Sequence, residues 1–265
     1  FSEPAGGSDL AALRTRAERD GSDWIINGQK IWTSGADNAD WIFCLVRTDF
    51  DAPKHNGITF ILFDMETPGV SVRPIKLISG LSPFCETFFE DVRVPRKNVV
   101  YNVNEGWTVA KRLLQYERTS IGGGGGPGGP RTKSLADLAA DYMGRDNDGK
   151  LADKALRSDI VVQSMNDRAF GLTVRRNQEE SKSTKAPSFV SSMFKYYGTE
   201  QNKNRYELML KAMGTQMLGW EGDGFNGNEL AQTRGWLRTK ANSIEGGTSE
   251  VQLNIIAKRV LGLPD

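Results

Sequence analysis

Two stretches of the sequence carry residue types that could do chemistry, and the first is SEPAGGSD at residues 2–9. A proline-fixed turn and two adjacent glycines there precede Ser8 and Asp9. Such a segment lets backbone N–H groups and a hydroxyl approach an anionic or carbonyl-rich ligand closely. A surface turn in which Asp9 caps a short helix has the same composition, so the residues alone leave both interpretations open.

The second stretch is EGWTVAKRLLQYERTSI at residues 105–121, where the apolar residues repeat with helical spacing. One stripe of the predicted helix contains Trp107, Ala110, Leu113, Leu114 and Ile121. Glu117 falls on the same stripe, and a carboxylate desolvated there would have a raised pKa and act as a proton acceptor. The alternative is an exposed Glu117 paired with Arg118 or Lys111.

Composition places the chain among soluble globular proteins. It has 265 residues, 38% hydrophobic and 25% charged, with a net charge of +1. The balanced charge argues against nucleic acid as a partner. No apolar run approaches the length of a membrane span, and the sequence does not open with a charged segment followed by an apolar one, so we expect a soluble, unsecreted protein. Cys44 and Cys85 lie in apolar surroundings, which predicts small buried thiols. The sequence has a single histidine, His55, which excludes a His-rich zinc site; its loop-like surroundings predict a solvated imidazole.

Short β-branched and aromatic runs separated by turn residues predict strands over residues 10–100. Asn27-Gly28 lies between two apolar arms and predicts a hairpin turn. Further strands are expected at Trp41–Arg47, Ile58–Asp64, Val70–Pro74 and Thr87–Val94. The pattern predicts a small antiparallel barrel or sandwich.

From residue 105 the periodicity becomes helical, with further helices expected near 131–143, 150–180, 187–213 and 248–261. The stretch GGGGGPGGP at 122–130 predicts a break or loop, because glycine disfavours helix and neither the preceding strand nor the Lys-Ser/Thr ending of a phosphate-binding loop is present. The prediction is an α+β protein with a β-barrel domain at 1–103 and a four-helix bundle domain at 104–265.

Four motifs together resemble the acyl-CoA dehydrogenase family in order and spacing. They are SEPAGGSD, INGQKIWTSGADNADW, FEDVRVPRKNVV and IEGGTSEVQLNIIAKRVLG. The resemblance implies a middle β-barrel and a C-terminal bundle that hold FAD between them, with a neighbouring subunit completing the site. It also implies that the family's N-terminal helical domain would precede Phe1.

The resemblance implies which residues bind FAD. Phe1, Ser2, Gly7, Ser8, Trp32, Thr33 and Ser34 would line the flavin, with the Ser34 hydroxyl facing N5. Trp32 could instead be a barrel-core aromatic. Thr248, Ser249 and Glu250 would approach the cofactor from the start of the last helix, where free N–H groups suit its phosphates.

Desaturation of an acyl thioester needs a carboxylate beside the α-carbon. In many relatives this glutamate directly precedes Gly-Thr, but Gly246 stands there and Glu245 lies one residue earlier, which turns its side chain elsewhere. Another subset of the family draws its base from the helix after the barrel, where this sequence has Glu117 followed by Arg118. The resemblance therefore implies Glu117 as the base, Glu245 as runner-up, Ser8 and Arg118 near the substrate, and Gly246 or Gly247 as donors to the thioester carbonyl.

Two family elements that contact FAD across subunits are altered. One is reduced to Arg145 and Gly149 in GRDNDGK, and the other, QMLGWEG, keeps Gln216 and Gly219 but has Trp220 in place of a glycine. The expected function is an FAD-dependent acyl-CoA dehydrogenase that reduces an electron-transfer flavoprotein and forms a homodimer or homotetramer in the cytoplasm or mitochondrial matrix. An acyl-CoA oxidase and a non-catalytic subunit of a hetero-oligomer are the alternatives.

Overall fold

The computed structural model describes residues 1–122, 133–183 and 190–264, without the side chains of residues 115, 118–122 and 181–183. The chain divides into two compact units, Phe1–Leu114 and Gln115–Asp265. We call them the β unit and the helical unit. The α+β class is confirmed, because the strands fall in the first unit and the helices follow. Residues 123–130 of the glycine-rich stretch lie outside the described residues.

The β unit contains one seven-stranded sheet in the order β5-β6-β2-β1-β3-β4-β7. The strands are β1 Arg16–Asp20, β2 Asp23–Ser34, β3 Trp41–Arg47, β4 Ile58–Asp64, β5 Val70–Ile75, β6 Phe84–Pro95 and β7 Val99–Val100. Neighbours are antiparallel except β1 and β3, which run parallel. In the described ranges β5 and β7 each pair with one strand, so hydrogen bonds do not close the expected barrel.

The sheet nevertheless folds over on itself around a buried core. Phe63 of β4 meets Phe89 of β6 edge to face, with ring centroids 5.4 Å apart, although these strands are not neighbours in the sheet. Inward positions of β1, β2, β3, β4 and β6 supply the remaining core side chains, including the free, buried Cys44. The alternation of buried and exposed residues along these strands produces one enclosed apolar face.

The hairpin predicted at Asn27-Gly28 is wrong. These residues lie inside β2 at a shift in its register with β6, and the Asn27 side chain exchanges two 2.9 Å hydrogen bonds with Asp91. Gly28 has φ 151°, and a Cβ there would lie 2.7 Å from Thr15. The Asn-Gly pair therefore forms a β-bulge. The real turn joins Asp20 to Asp23, where Gly21 has φ 58°.

The helices are α1 Gly106–Gly122, α2 Leu135–Met143, α3 Lys154–Ser183, α4 Val190–Met213, α5 Gly227–Thr239 and α6 Ser249–Ile255, which continues as a π-helical turn Ile256–Val260. The predicted stripe of α1 is supported at Ala110, which is fully buried in a cluster with Leu10, Leu45 and Phe60. In the helical unit α4 packs against α2, α3, α5 and α6. Among the described helices, none is long and apolar enough to cross a bilayer.

Helix α5 was not predicted from the sequence, although a capping box marks its start. Asn226 accepts hydrogen bonds from the backbone of Asn228 and Glu229, and Glu229 caps the Asn226 N–H in return. The Asn-x-x-Glu spacing is a recognised N-terminal signal.

Candidate functional site

The SEPAGGSD segment is a tight turn attached to β2. Glu3 and Gly6 exchange backbone hydrogen bonds of 3.1 and 3.0 Å, and the Ser2 carbonyl accepts a 2.9 Å bond from the N–H of Ile31. The segment therefore runs beside the strand that carries Trp32, Thr33 and Ser34.

A buried carboxylate holds this turn in place. Glu3 accepts hydrogen bonds from the N–H of Arg14 at 2.6 Å, the N–H of Thr15 at 2.9 Å and Nζ of Lys30 at 2.7 Å. Lys30 is 1% exposed and Glu3 is 7% exposed. Burial raises the pKa of Glu3, but the Lys30 charge and these hydrogen bonds outweigh it and leave the pKa below its usual value. Glu3 is thus a fixed, ionised anchor.

The second half of the segment is exposed. Gly7 and Ser8 are exposed, and Phe1 is half-buried with its ring 5.0 Å from that of Phe43. Asp9 precedes a short 3₁₀ turn, but its side chain makes no capping hydrogen bond and instead pairs with Lys54 at 2.9 Å. The helix-capping alternative for Asp9 is therefore wrong.

Trp32, Thr33 and Ser34 lie at a second irregularity of β2, where its register with β6 shifts between Lys30 and Thr33. Trp32 has φ 62°, a strained backbone for a large side chain, and is 52% exposed with its ring edge-on to Phe84 at 6.2 Å. The hydroxyl of Thr33 accepts a hydrogen bond from Thr87, and Ser34 is exposed. Trp32 is not a core aromatic; the bulge turns it outward.

In the helical unit, the GGTSE motif forms the start of α6. Gly246 and Gly247 have φ 62° and 89°, and a Cβ on Gly247 would lie 2.5 Å from Nε2 of Gln252. Thr248 is the N-cap and accepts a 3.2 Å bond from the N–H of Val251. Among described backbone groups, none accepts a hydrogen bond from the N–H of Gly246 or Gly247. Neither of these half-buried donors is therefore used in the described backbone hydrogen bonds of the loop.

Glu245, just before this motif, is held by its own loop. One carboxylate oxygen accepts a 2.5 Å bond from Arg238 and the other a 2.6 Å bond from the Asn242 side chain. The Asn242 carbonyl in turn accepts a 3.0 Å bond from Nζ of Lys195, which is fully buried on α4. Burial lowers the pKa of Lys195, and nearby carboxylates led by Glu245 oppose this only in part.

Besides Oγ of Ser192 on α4, three buried oxygen atoms in the helical unit lack a partner among the described residues. They are Oε1 of Gln216, Oγ of Ser249 and Oε1 of Gln252. Gln216 and Ser249 are predicted FAD contacts, and Glu250, the third predicted residue of this motif, is exposed. Since a buried polar atom without a hydrogen bond is destabilising, these atoms favour a bound ligand or water nearby.

The altered family elements have local structural roles. Gly219 is buried, and a Cβ there would lie 2.4 Å from the ring of Phe225. Trp220 stacks under the Arg234 guanidinium at 4.5 Å. Arg145 donates to the Gly149 carbonyl at 3.0 Å and pairs with Asp137 at 3.3 Å, so these two contacts are made to α2 and to the turn that follows it.

Glu117 lies on α1 and is half-buried, whereas the side chain of Arg118 lies outside the described residues. Sequence analysis missed the charged residues that position the candidate site, namely Glu3, Lys30 and Lys195. A basic residue on a strand or helix usually faces solvent, and only the unlike charges of Glu3 and Lys30 within two adjacent motifs could have suggested a pair.

Comparison with known proteins identifies the family. Residues 1–92 match the acyl-CoA dehydrogenase middle domain, and residues 104–261 match the acyl-CoA dehydrogenase C-terminal domain. The chain is 38% identical to acyl-CoA dehydrogenase FadE34 of Mycobacterium tuberculosis over 100% of its own length, but it spans only 35% of that relative.

Solved structures give the same result. The steroid ACAD Tcur3481-Tcur3483 superposes with a TM-score of 0.84 at 30% identity, over 100% of this chain and 67% of that one. The ChsE4-ChsE5 complex of Mycobacterium tuberculosis gives a TM-score of 0.79 at 29% identity, over 100% and 68%. Fold, motifs and both domain matches agree: the chain belongs to the acyl-CoA dehydrogenase family and carries its middle and C-terminal domains.

Proposed function

We propose that this chain is part of an FAD-dependent enzyme that desaturates an acyl-CoA thioester between its α and β carbons. The observation that carries the proposal is that both family domains are present, each with its motif residues in a site-like setting. In the β unit these are the exposed Ser8 and the outward-turned Trp32. In the helical unit they are Gly246 and Gly247, whose N–H groups are not used by any described backbone acceptor.

The residues present fit FAD. The exposed Trp32 ring can cover an aromatic ring system, and Ser34 offers an exposed hydroxyl beside it. Gln216 and Ser249 carry buried oxygen atoms without a hydrogen-bond partner in the described ranges, which suits the polar chain of a dinucleotide. Phe1, Ser2, Gly7, Thr33, Gly219, Thr248 and Glu250 complete the proposed FAD set. Bound FAD supplies the acceptor for the β-hydride.

Glu117 is the proposed base that removes the α-proton. The contacts of Glu245 support this choice, because both of its carboxylate oxygens already accept short hydrogen bonds from Arg238 and Asn242. These hydrogen bonds tie the Glu245 carboxylate to its own loop. Glu117 is half-buried on a helix whose first turns pack through Ala110 and Leu113.

The negative charge that develops on the thioester carbonyl as the proton leaves requires donors. The N–H groups of Gly246 and Gly247 are the proposed donors, since neither is used by a described backbone acceptor. Ser8, and Arg118 by family resemblance, would orient the substrate. An electron-transfer flavoprotein is the proposed acceptor of the electrons.

The proposed assembly is a homodimer or homotetramer, in which a second chain completes each FAD site. The similar ChsE4-ChsE5 structure is a complex of two different chains. A hetero-oligomer with a related subunit is therefore the second candidate, favoured by Trp220 in place of a glycine and by the local contacts of Arg145.

The test compares Glu117→Gln with Glu245→Gln in the full-length, flavin-loaded protein. Anaerobic stopped-flow absorbance follows flavin reduction by an acyl-CoA that the wild type turns over. Glu117→Gln should slow reduction by about 10² to 10⁴, the usual effect of removing a positioned base, while Glu245→Gln should have a much smaller effect. The reverse order would assign the base to the loop before α6.

A further inference from the structure

The loop between α5 and α6, residues 240–247, is held by helix α4. Nζ of Lys195 on α4 donates a 3.0 Å hydrogen bond to the carbonyl of Asn242 in this loop. Seven residues further along α4, the Asn202 side chain donates to Oδ1 of the same Asn242 at 3.0 Å. Residues at this spacing lie on the same face of a helix, so one face of α4 holds both the backbone and the side chain of Asn242. We call residues 240–247 the α5–α6 loop.

Lys195 is an unusual residue type for this contact. Its side chain is fully buried, and in the ranges that the structure describes it forms no ion pair. Lysine is rarely buried completely without a paired carboxylate, because its charged form loses its hydration. An apolar side chain of similar volume would fill the same space at a lower free-energy cost. The burial of Lys195 therefore indicates a role that requires its N–H donors.

Hydrogen bonds within the α5–α6 loop connect Asn242 to Gly246. The Asn242 side chain donates to Oε1 of Glu245 at 2.6 Å. The backbone N–H groups of Ile244 and Glu245 both donate to the Ala241 carbonyl at 2.9 Å. These bonds close a turn whose last residue directly precedes Gly246. A displacement of Asn242 would therefore move the backbone of Gly246 as well.

Helix α6 holds the other side of the same two glycines. The Gln252 side chain donates to the carbonyls of Gly246 and Gly247 at 3.1 and 3.4 Å. The N–H groups of these glycines are not used by any described backbone acceptor. The two peptide groups are thus held from both ends, by α4 through Asn242 and by α6 through Gln252, while their described backbone donors remain unused.

We propose that Lys195 is a positioning residue, which holds the α5–α6 loop so that the N–H groups of Gly246 and Gly247 meet the thioester carbonyl. The inference rests on the proposed function. Lys195 acts through the loop, and its role requires no contact with the substrate or the flavin. Donors stabilise a developing negative charge only when they lie where that charge forms, so a small displacement of the loop should slow the reaction.

The first experiment uses Lys195→Met in the full-length, flavin-loaded enzyme, which removes the donor and keeps the length of the side chain. Flavin reduction by an acyl-CoA should slow about 10- to 100-fold, the effect of misplacing a group by about 1 Å, with little change in KM. Isotope-edited infrared spectroscopy of the bound enoyl-CoA product measures the donors without turnover. The stretching frequency of its thioester carbonyl should move toward that of the free product.

Thr199→Val is the matched control for a merely structural effect. Thr199 is buried one turn further along α4, and its hydroxyl donates to the carbonyls of Lys195 and Tyr196 in its own helix. This variant should lower the free energy of unfolding but leave the reduction rate and the carbonyl frequency at their wild-type values. Equal effects of the two variants on rate and frequency, or an unchanged frequency in Lys195→Met, would overturn the proposal.

The second experiment measures the loop without any substrate. The amides of Ile244 and Glu245, which donate to the Ala241 carbonyl, should exchange with solvent about tenfold faster in Lys195→Met. In Thr199→Val their exchange should equal that of the wild type.

Asn242→Ala decides the question if Lys195→Met does not fold. Asn242 is half-buried, and its side chain connects the loop to Asn202 and Glu245. This variant should speed the same amide exchange and shift the carbonyl frequency in the same direction, by a smaller amount. No change in either measurement would overturn the proposal.

The positioning role and the proposed function fail in different ways. If amide exchange in the loop depends on Lys195 but no acyl-CoA reduces the wild-type flavin, the holding of the loop stands and the proposed function fails. If acyl-CoA reduces the wild-type flavin but Lys195→Met leaves exchange and carbonyl frequency unchanged, the proposed function stands and the positioning role fails.

Discussion

The SEPAGGSD segment of the β unit is held by Glu3, whose carboxylate is fully engaged in hydrogen bonds. The loops of the helical unit that carry predicted FAD contacts instead contain buried oxygen atoms without a described partner. Glu3 accepts three hydrogen bonds, one of them from the buried Lys30. In the helical unit, buried oxygen atoms of Gln216, Ser249 and Gln252 have no partner among the described residues. In the β unit, no described atom of a predicted site residue is in this state.

This difference indicates that the motif residues of the two units depend on a ligand to different degrees. A turn with satisfied hydrogen bonds keeps its shape without a ligand and is preorganised. Loops that contain unsatisfied buried atoms gain free energy when a ligand or water supplies the missing bonds. We therefore expect changes at the anchor of the β unit to affect folding, and changes in the loops of the helical unit to affect cofactor binding.

The largest expected effect is that of Lys30→Met. Removing the cation leaves the carboxylate of Glu3 buried without its partner, which costs about 3–5 kcal/mol of unfolding free energy. Urea unfolding followed by tryptophan fluorescence measures the loss, because Trp24 is buried in the same unit. Lys97→Met, at an exposed lysine, is the matched control and should stay within about 0.5 kcal/mol of the wild type. Equal stability of the two variants would contradict the anchoring role of the pair.

Gly247→Ala, in the helical unit, should have an intermediate effect, which is a loss of FAD affinity. Alanine would have to adopt φ 89° and displace the Gln252 side chain, which donates to the carbonyls of Gly246 and Gly247. Backbone strain of this kind costs about 1–3 kcal/mol, so FAD affinity should fall about tenfold or more. Fluorescence titration of the flavin-free protein with FAD measures it. Gly224→Ala, in open space, is the control, and an unchanged affinity in Gly247→Ala would argue against a role for this loop in FAD binding.

The smallest expected effect is a pH dependence due to Glu3. Its folded pKa lies below the unfolded value of about 4.3, so the ionised form stabilises the folded state above that pH. This contribution is lost as pH falls from about 4.3 through the folded pKa, because the unfolded chain binds the proton first. The difference in unfolding free energy between wild type and Glu3→Gln should therefore shrink with decreasing pH in this window. A difference that is constant with pH would show that Glu3 has the same pKa in the folded and unfolded states, and would contradict its lowered folded pKa.

Local patterns predicted much of the fold. Strands β3 and β4 have the predicted bounds, since alternating apolar residues and clear turn signals define them. The Asn27-Gly28 prediction failed because the same dipeptide that favours a turn also fits a bulge, and only the close approach of Thr15 decides between them. Whether the sheet closes into a barrel could not be predicted, because closure depends on whether the edge strands β5 and β7 pair with each other.

Residues of the candidate site could be predicted only where a family motif contains them. The outward direction of Trp32 depends on the register shift after Lys30, which no periodicity indicates. The burial of Lys30 and Lys195 depends on partners 27 and 47 residues away, Glu3 and the Asn242 carbonyl. Long-range pairing of this kind determines which charged residues are buried, and a single sequence contains little trace of it.

The most direct test of the proposed function is the visible spectrum of the full-length protein before and after anaerobic addition of an acyl-CoA, together with the mass of the product. Purified protein should show flavin absorbance that bleaches with substrate, and the product should be the thioester with two hydrogens fewer. The proposal would be contradicted by a protein that neither contains nor takes up FAD. It would also be contradicted if none of a set of short, branched, long-chain and steroid-like acyl-CoA substrates reduced the flavin.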